Sequence, residues 1–526
     1  MLSTYIEGYN WTHYSYLNPV SFLEGPQGNP TSWVNSLPMS TAGDFYNYIA
    51  RLQAMPKQLD EFLELLKTAV LLNRTYNAVS MNRLEVQFND TIKTNPIESP
   101  YYTPFNGTLD NSTTIDESDK TALRTKATAS ITSVMDKFQE LWNYIQTVYK
   151  TNTRKEYGVW AWPNGRKFYE TCIRWYLDSD LTADQIHKIG LNEVARIEAN
   201  MRKIMTKQGH GDKTIAEYFQ ILMNDSTHFF KTGDEILEEY RRQVNEVIEP
   251  RMKDWFINRP GLPLIVKSTP YDGISGSYTS GSPDGSTPGK FWVNVFRPKD
   301  TPKYTMMALT LHEAIPGHHL QISHSITADT PDFRKKMESS SLYRVPFAFP
   351  RYTAYVEGWA LYAEAVGEEM GVYGDDYELM GRYNSEMFRA CRLVIDTGIH
   401  EKEWSREQAI EYMLNYTSET RPVVETEIDR YITWPGQALS YKIGEIKIRE
   451  LRAKAEKELG QYFDIKEFHS VVLESGTLSL NVLENIVNTW IENHERGGEP
   501  PVPCGASGLS TVIPLVLLSF VSKICE

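Results

Sequence analysis

Helical periodicity, broken once, is what most constrains this chain. Apolar residues recur at three-and-four spacing through Ser40 to Ala69, Lys120 to Tyr149, Thr182 to Met205 and Gly233 to Phe256, the pattern of helices that bury one face. Thr182-Ala183-Asp184-Gln185 and Ser405-Arg406-Glu407-Gln408 have capping-box spacing and mark two helix starts. The Gly/Ser/Pro-rich stretch from Gly273 to Gly289 stops the pattern, and Lys290-Phe291-Trp292-Val293-Asn294-Val295-Phe296 reads as a strand by its β-branched and aromatic content. Helices resume at Tyr304 and run almost to Glu495. A mainly α fold with a small β-sheet is therefore expected. A chain of 526 residues exceeds the usual single-domain size, so two lobes around a cleft are expected as well. The expected boundaries are a helical lobe over 1–265, a second lobe over 266–498 that carries the motifs below, and a linker with a hydrophobic tail over 499–526.

Directly after the strand comes Leu309-Thr310-Leu311-His312-Glu313-Ala314-Ile315-Pro316-Gly317-His318-His319-Leu320. A His-Glu pair followed by further histidines supplies metal ligands and a general base on one short element. In the usual zinc-protease helix the second histidine follows the first by one turn, but Pro316 occupies that position here. On an ideal helix His318 would lie roughly 120° around and 9 Å along from His312, and His319 about 10.5 Å away on the same face. Neither suits a straight helix. Pro316 cannot donate to the His312 carbonyl and Gly317 tolerates unusual dihedrals, so a bulge is expected to swing His318 or His319 back over His312. The competing reading, a buried helix with satisfied histidines, requires His-Glu and Gly-His-His to coincide by chance.

A third ligand should lie downstream, and Glu357 is the candidate. Tyr352 to Glu364 reads as a helix that sets Glu357 and Leu361 on one face among aromatic residues, with Glu364 recurring two turns on. A carboxylate among Trp and Tyr side chains is costly to bury without a cation. Two histidines and one glutamate with an open fourth position form a catalytic rather than a structural site for one zinc ion. The competing reading of Glu357 is an exposed helix glutamate.

At these residues the chain resembles the domain-of-unknown-function 885 family, which is similar to a divergent branch of the gluzincin metallopeptidases. The resemblance rests on ordered blocks: Tyr271-Asp272-Gly273, Gly289 to Asn294, His312-Glu313 through Gln321, Glu357-Gly358-Trp359-Ala360, Arg392 to His400, and Pro435 to Lys442, within a span of Asn18 to Glu495. Thimet-oligopeptidase-like gluzincins place one residue between His-Glu and Gly-His, and dipeptidyl-peptidase-III-like ones place two. Here Ala314, Ile315 and Pro316 intervene. By that comparison His318 is the second ligand and His319 the alternative.

The resemblance implies a two-lobed oligopeptidase- or carboxypeptidase-like architecture with the sheet beside the active site, and zinc-dependent hydrolysis of bonds in short peptides. Glu313 is then the general base that takes the proton of the attacking water and passes it to the leaving amine. Tyr441, His400 and Tyr431 are candidates to stabilise the oxyanion, and Tyr441 is preferred because Pro435 to Lys442 resembles the tyrosine-bearing segment of related oligopeptidases. Arg392 and Lys442 are candidates to hold a terminal carboxylate, although Arg392 also has i,i+4 spacing to pair with Asp396. Asn294, on the strand, is a further substrate-binding candidate, and the strand edge can pair with an extended peptide while the glycine-rich loop covers it. The rival classes are a zinc hydrolase of a non-peptide amide or ester and a non-catalytic binding ectodomain that keeps the fold.

With 54 basic and 68 acidic residues the net charge is −14, which opposes nucleic-acid binding. Cys172, Cys391, Cys504 and Cys525 form no Cys-x-x-Cys pair, which argues against a cysteine-based zinc site or a redox motif; Cys172 with Cys391 is either a disulfide or two buried thiols. Glycosylation sequons at Asn10, Asn73, Asn89, Asn106, Asn111, Asn224 and Asn415 suggest a glycoprotein of the secretory pathway, extracellular or membrane-tethered. Met1 to Thr4 lacks a signal sequence, and family members carry a further helical segment, so truncation at the N-terminus is expected. Leu509 to Val521 is too short for a comfortable membrane span, and Gly505, Ala506 and Ser507 before it resemble a lipid-anchor attachment signal.

Overall fold

The computed structural model describes residues 6–495 apart from 12–13, 29, 36, 271, 273 and 336–351. The expected linker and tail over 499–526, with Cys504 and Cys525, lie outside the described residues, as do Tyr271 and Gly273 of the first family block.

Local capping chemistry starts most of the long helices. Helix α1 (Ala42–Leu71) is opened by Thr41, whose hydroxyl accepts from Asp44 N while the Asp44 carboxylate accepts from the Thr41 backbone. α2 (Glu117–Tyr144) has Asp116 as its N-cap and runs on into a π-helical segment, Ile145–Tyr149, so the expected helix starts three residues earlier and loosens at its end. α3 (Ala183–Lys207) carries the predicted Thr182–Gln185 capping box. The Gly233 segment is interrupted: Gly233–Arg242 is α-helical, Gln243–Ile248 is π-helical, and Glu249–Met252 closes it.

The remaining helices frame the site: α4 (Lys303–Glu313), α5 (His318–Thr327), α6 (Thr353–Glu369), α7 (Asp376–His400), α8 (Arg421–Thr433), α9 (Ser440–Leu459) and α10 (Leu480–Glu495). The Ser405–Gln408 capping box opens the helix Arg406–Tyr416, as its spacing predicts. Two close approaches set the packing. Gly190 of α3 lies where a Cβ would come within 2.8 Å of the Leu393 and Val394 side chains of α7. On α6, a Cβ at Gly358 would meet the Gly444 carbonyl carbon at 2.4 Å, and one at Gly444 of α9 would meet the Ala354 carbonyl oxygen at 1.8 Å. The two backbones touch there, and only glycine leaves the room.

The sheet has three strands in the order β1 (Leu264–Ser268), β3 (Gly289–Val293), β2 (Gly276–Thr279). β3 pairs in parallel with β1, Val266 opposite Phe291, and antiparallel with β2, Tyr278 opposite Phe291. The expectation that the strand around Trp292 offers a free edge to a peptide is therefore corrected. Both of its sides are hydrogen-bonded, and the edges belong to β1 and β2.

A separate apolar core gathers Leu17 to Tyr149 between α1 and α2. It ends well before residue 265. On either side of 265 the side chains share one cluster, in which Tyr240, Ile248 and Phe256 pack with Phe291, Met306 and Leu311. Cys172 and Cys391 are both free and buried in different clusters, so the disulfide alternative is not the one adopted. Asn10, Asn73, Asn89, Asn106, Asn111, Asn224 and Asn415 are all exposed. Among the described residues no helix is long and apolar enough to cross a membrane.

Candidate metal centre

The chain does not bulge between the histidines; it breaks the helix and starts a new one. The last helical bond of α4 is donated by Ala314 N to the Thr310 carbonyl at 2.9 Å. Ala314 then leaves helical geometry at ψ −110°, the Ile315–Pro316 peptide is cis, and Gly317 caps α5. A Cβ on Gly317 would sit 1.9 Å from the His312 carbonyl oxygen, so this turn folds back directly onto the end of α4. His319 N closes it by donating to the Ala314 carbonyl at 3.1 Å, and the Trp359 indole of α6 donates to the Pro316 carbonyl at 2.8 Å.

This turn brings His318 to His312. Their rings stand at 88° with centroids 4.9 Å apart. From α6, Glu357 Oε2 lies 3.5 Å from the Nε2 of each. Among the described residues these three make up the one group of metal-ligating side chains, with ligand atoms within 4.8 Å of one another. Two bonds of about 2.0–2.1 Å spanning such a 3.5 Å separation subtend roughly 115–120°, close to a tetrahedral angle. A tetrahedral site needs roughly 3.4 Å between ligand atoms, which the two 3.5 Å separations meet, and all three ligand atoms lie within 4.8 Å of one another.

A second carboxylate stands behind the first. Glu364, two turns along α6 from Glu357, accepts from His312 Nδ1 at 2.8 Å, and both side chains are buried. That bond places the Nδ1 proton and turns Nε2 toward Glu357. Gln321 Oε1 stands 3.4 Å from His318 Nδ1 and does the same more loosely. Burial opposes a charge on His312, yet Glu357 and Glu364 outweigh it and hold the imidazole up at about 10. Burial likewise opposes ionisation of Glu357, but His312 and His318 hold its carboxyl well below the usual range. Two imidazoles and a carboxylate fit zinc by donor type and by spacing.

Glu313, the last residue of α4, is half-buried and makes no hydrogen bond or ion pair with a described residue. Its charge is felt by His312 and by Tyr240. His319 points elsewhere: its Nε2 donates to the Leu262 carbonyl at 3.2 Å, its Nδ1 accepts from the Tyr278 hydroxyl of β2 at 3.1 Å, and burial holds it down at about 4.

His400 is fully buried with both ring nitrogens engaged, Nε2 on the Tyr431 carbonyl at 2.9 Å and Nδ1 with Val159 N at 3.2 Å, which leaves none for a substrate. Lys442 is also fully buried, 2.7 Å from Glu386, 2.8 Å from Glu445 and 3.0 Å from Glu193. Three carboxylates on one ammonium leave it no donor for a peptide terminus. Asn294 is engaged too, donating to Asp272 at 2.8 Å and accepting from Phe296 N at 3.0 Å.

Arg392 pairs with Glu427 at 2.8 Å and donates to the Tyr431 hydroxyl at 2.9 Å. The i,i+4 pairing with Asp396 is not made, because the Asp396 carboxylate accepts instead from Tyr169 at 2.5 Å and from Gly436 N at 3.1 Å. Tyr441 lies beside Arg392 and accepts from Arg430 at 3.3 Å.

Sequence reasoning missed Glu364, Arg430 and Glu427 as members of these constellations. Glu364 had a signal, its seven-residue spacing from Glu357 on one helix face; Arg430 and Glu427 had only their mutual i,i+3 spacing, which does not reveal the Arg392 and Tyr441 that other helices bring to them.

Comparison with known proteins agrees with this architecture. The family model described as "Bacterial protein of unknown function (DUF885)" matches residues 1–487. The crystal structure of a "putative lipoprotein" from Colwellia psychrerythraea is 34% identical, covers 90% of this chain and 80% of its own, and superposes with a TM-score of 0.82. A "putative lipoprotein of unknown function" from Shewanella oneidensis is 21% identical over 88% of this chain and 82% of its own, with a TM-score of 0.59, a likeness of fold. No curated protein matches the chain.

Proposed function

The chain belongs to the DUF885 family, and on that premise we propose that it is a zinc-dependent peptidase of the gluzincin type, acting on short peptides in a cleft between two lobes. The observation that carries this reading is the convergence of His312, His318 and Glu357 next to Glu313, whose carboxylate pairs with no described residue. Zinc, when bound, supplies Lewis acidity toward an oxygen, and three protein ligands leave a fourth position for it, the pattern of catalytic sites.

The protein's own groups do the rest. Glu313 accepts a proton from the attacking water and delivers it to the leaving nitrogen, a role that needs a carboxylate not already committed to a partner. The Tyr441 hydroxyl accepts from Arg430 and so keeps its own hydrogen to donate to a developing oxyanion. β2, an edge strand packed beside α4, offers backbone groups to an extended peptide. The description of the Colwellia relative as a lipoprotein and the seven exposed sequons support a secreted or membrane-associated location.

The test is a panel of short peptides, with matched amides and esters, presented to the zinc-loaded protein and to Glu313→Gln. Peptide turnover that falls at least ~100-fold in Glu313→Gln, with zinc retained, is expected. Equal rates remove Glu313 from the mechanism, and turnover of esters or simple amides alone makes the protein a different hydrolase.

A further inference from the structure

Three arginines meet where α7, α8 and α9 come together. Arg392 Nε donates to the Tyr431 hydroxyl and its Nη2 to Glu427, but Nη1 is buried without a partner among the described residues. Arg430 Nη2 donates to Gln437 at 2.9 Å and to Tyr441, its Nη1 stands 3.5 Å from Glu427, and its Nε is buried without a partner. Arg389 Nη1 donates to Ser385 Oγ at 2.6 Å, and its Nε is again unmatched.

The acids facing this group are Glu427 and Glu419, and the buried Asp396, whose carboxyl burial also pushes upward, acts on Arg392 through space. Burial pushes the Glu419 carboxyl upward, which weakens it as a counter-charge. A buried excess of positive charge with unfilled donors is unfavourable unless something else supplies the acceptors. At the rim, the Arg430 and Glu427 side chains are 22% and 19% exposed.

The cluster also has a fixed relation to the metal centre. The Arg392 guanidinium lies 4.3 Å from the centroid of the Tyr441 ring. Tyr441 stands one helical turn before Gly444, whose backbone touches Gly358, the neighbour of Glu357. One turn is about 5.4 Å, so the guanidinium lies on the order of 10 Å from the level of Glu357, a span of about three extended residues.

We infer that Arg392 and Arg430 bind the free C-terminal carboxylate of the substrate, which makes this a peptidase that cuts within about three residues of a peptide's C-terminus. The inference deepens the peptidase reading and rests on it. A planar guanidinium with unused N–H groups is matched to a carboxylate, and a second one beside it raises the local charge. Lys442, the other basic residue of the family block, is closed off by its three glutamates.

The test separates binding from turnover. Zinc-loaded Glu313→Gln protein is titrated calorimetrically with an N-acetylated tetrapeptide as the free acid and as its carboxamide. The free acid is expected to bind at least about tenfold more tightly. Adding Arg430→Gln, at a partly exposed position, or Arg392→Lys, which keeps charge but loses the planar fork, is expected to cut that ratio to about threefold or less. Equal affinity of acid and amide, no binding of either, or an undiminished ratio in folded Arg430→Gln overturns the inference. Wild-type turnover of both peptides without preference also counts against it and leaves the hydrolytic reading standing, whereas selective binding without turnover supports the carboxylate site alone and sinks the hydrolytic reading together with the cleavage position.

Discussion

Replacing Glu364 by alanine removes the carboxylate that aims His312 without touching any of the three ligands. Its Oε1 is 2.8 Å from His312 Nδ1, with the two side chains 2% and 4% exposed, so water cannot take over the acceptor role. A charge-assisted hydrogen bond in such a setting is worth about 1.5–3 kcal/mol. Carboxylates behind zinc-ligating histidines are worth roughly 10- to 100-fold in metal affinity, or about 1.4–2.8 kcal/mol. The two ranges overlap from about 1.5 to about 2.8 kcal/mol. Glu364→Ala is therefore expected to weaken zinc binding by roughly 10- to 100-fold, and Glu364→Gln, which keeps an acceptor oxygen but not the charge, by less than Glu364→Ala. The assay is competition for zinc against a chromophoric chelator near neutral pH, with circular dichroism to confirm that each variant is folded. Zinc affinity of folded Glu364→Ala within about threefold of wild type would refute the reasoning, because the His312 ring would then be held by something other than this bond.

Two further outcomes are expected. His318→Ala should lose stoichiometric zinc by metal analysis, whereas His319→Ala should retain it, because His319 spends both ring nitrogens on Leu262 and Tyr278; zinc lost from both alike would contradict this division. Asp396→Asn should gain on wild type as pH rises. Burial pushes the Asp396 carboxyl up to about 7 against the opposing bonds from Tyr169 and Gly436, so its protonated form adds stability that is full below about pH 4 and lost as pH rises through about 7. Urea unfolding at about pH 5 and about pH 8 should show the gap between the two proteins shifting by up to a few kcal/mol, and a gap independent of pH would count against the assignment.

Much of the helical skeleton was legible in the residues because its signals are local. Thr182 with Gln185 and Ser405 with Gln408 satisfy one another's backbone groups within a single turn, whatever the rest of the chain does. The same holds for the candidate ligands as a set: His312, Glu313 and the Gly-His-His run stand within eight residues, and Glu357 is marked by its aromatic surroundings. Where prediction by pattern went astray, the deciding partners were distant. The strand around Trp292 looks like an edge until β1 and β2 flank it, and nothing within five residues reveals that both will do so.

Residue type and spacing by themselves determined that the chain is mainly helical, that one strand precedes a His-Glu helix, and that histidines and a glutamate are at hand for a cation. Only the tertiary structure decided which histidine faces His312. That choice depends on Gly317 lying against the His312 carbonyl and on Trp359, from another helix, holding the Pro316 carbonyl in place. It also decided that Lys442 and His400 are spent in the interior while Arg392 and Arg430 keep unmatched donors. The physical reason is common to all of these. Helix periodicity and capping arise from hydrogen bonds a few residues apart, whereas the fate of a charged or ligating side chain depends on burial and on partners that folding brings in from tens to hundreds of residues away.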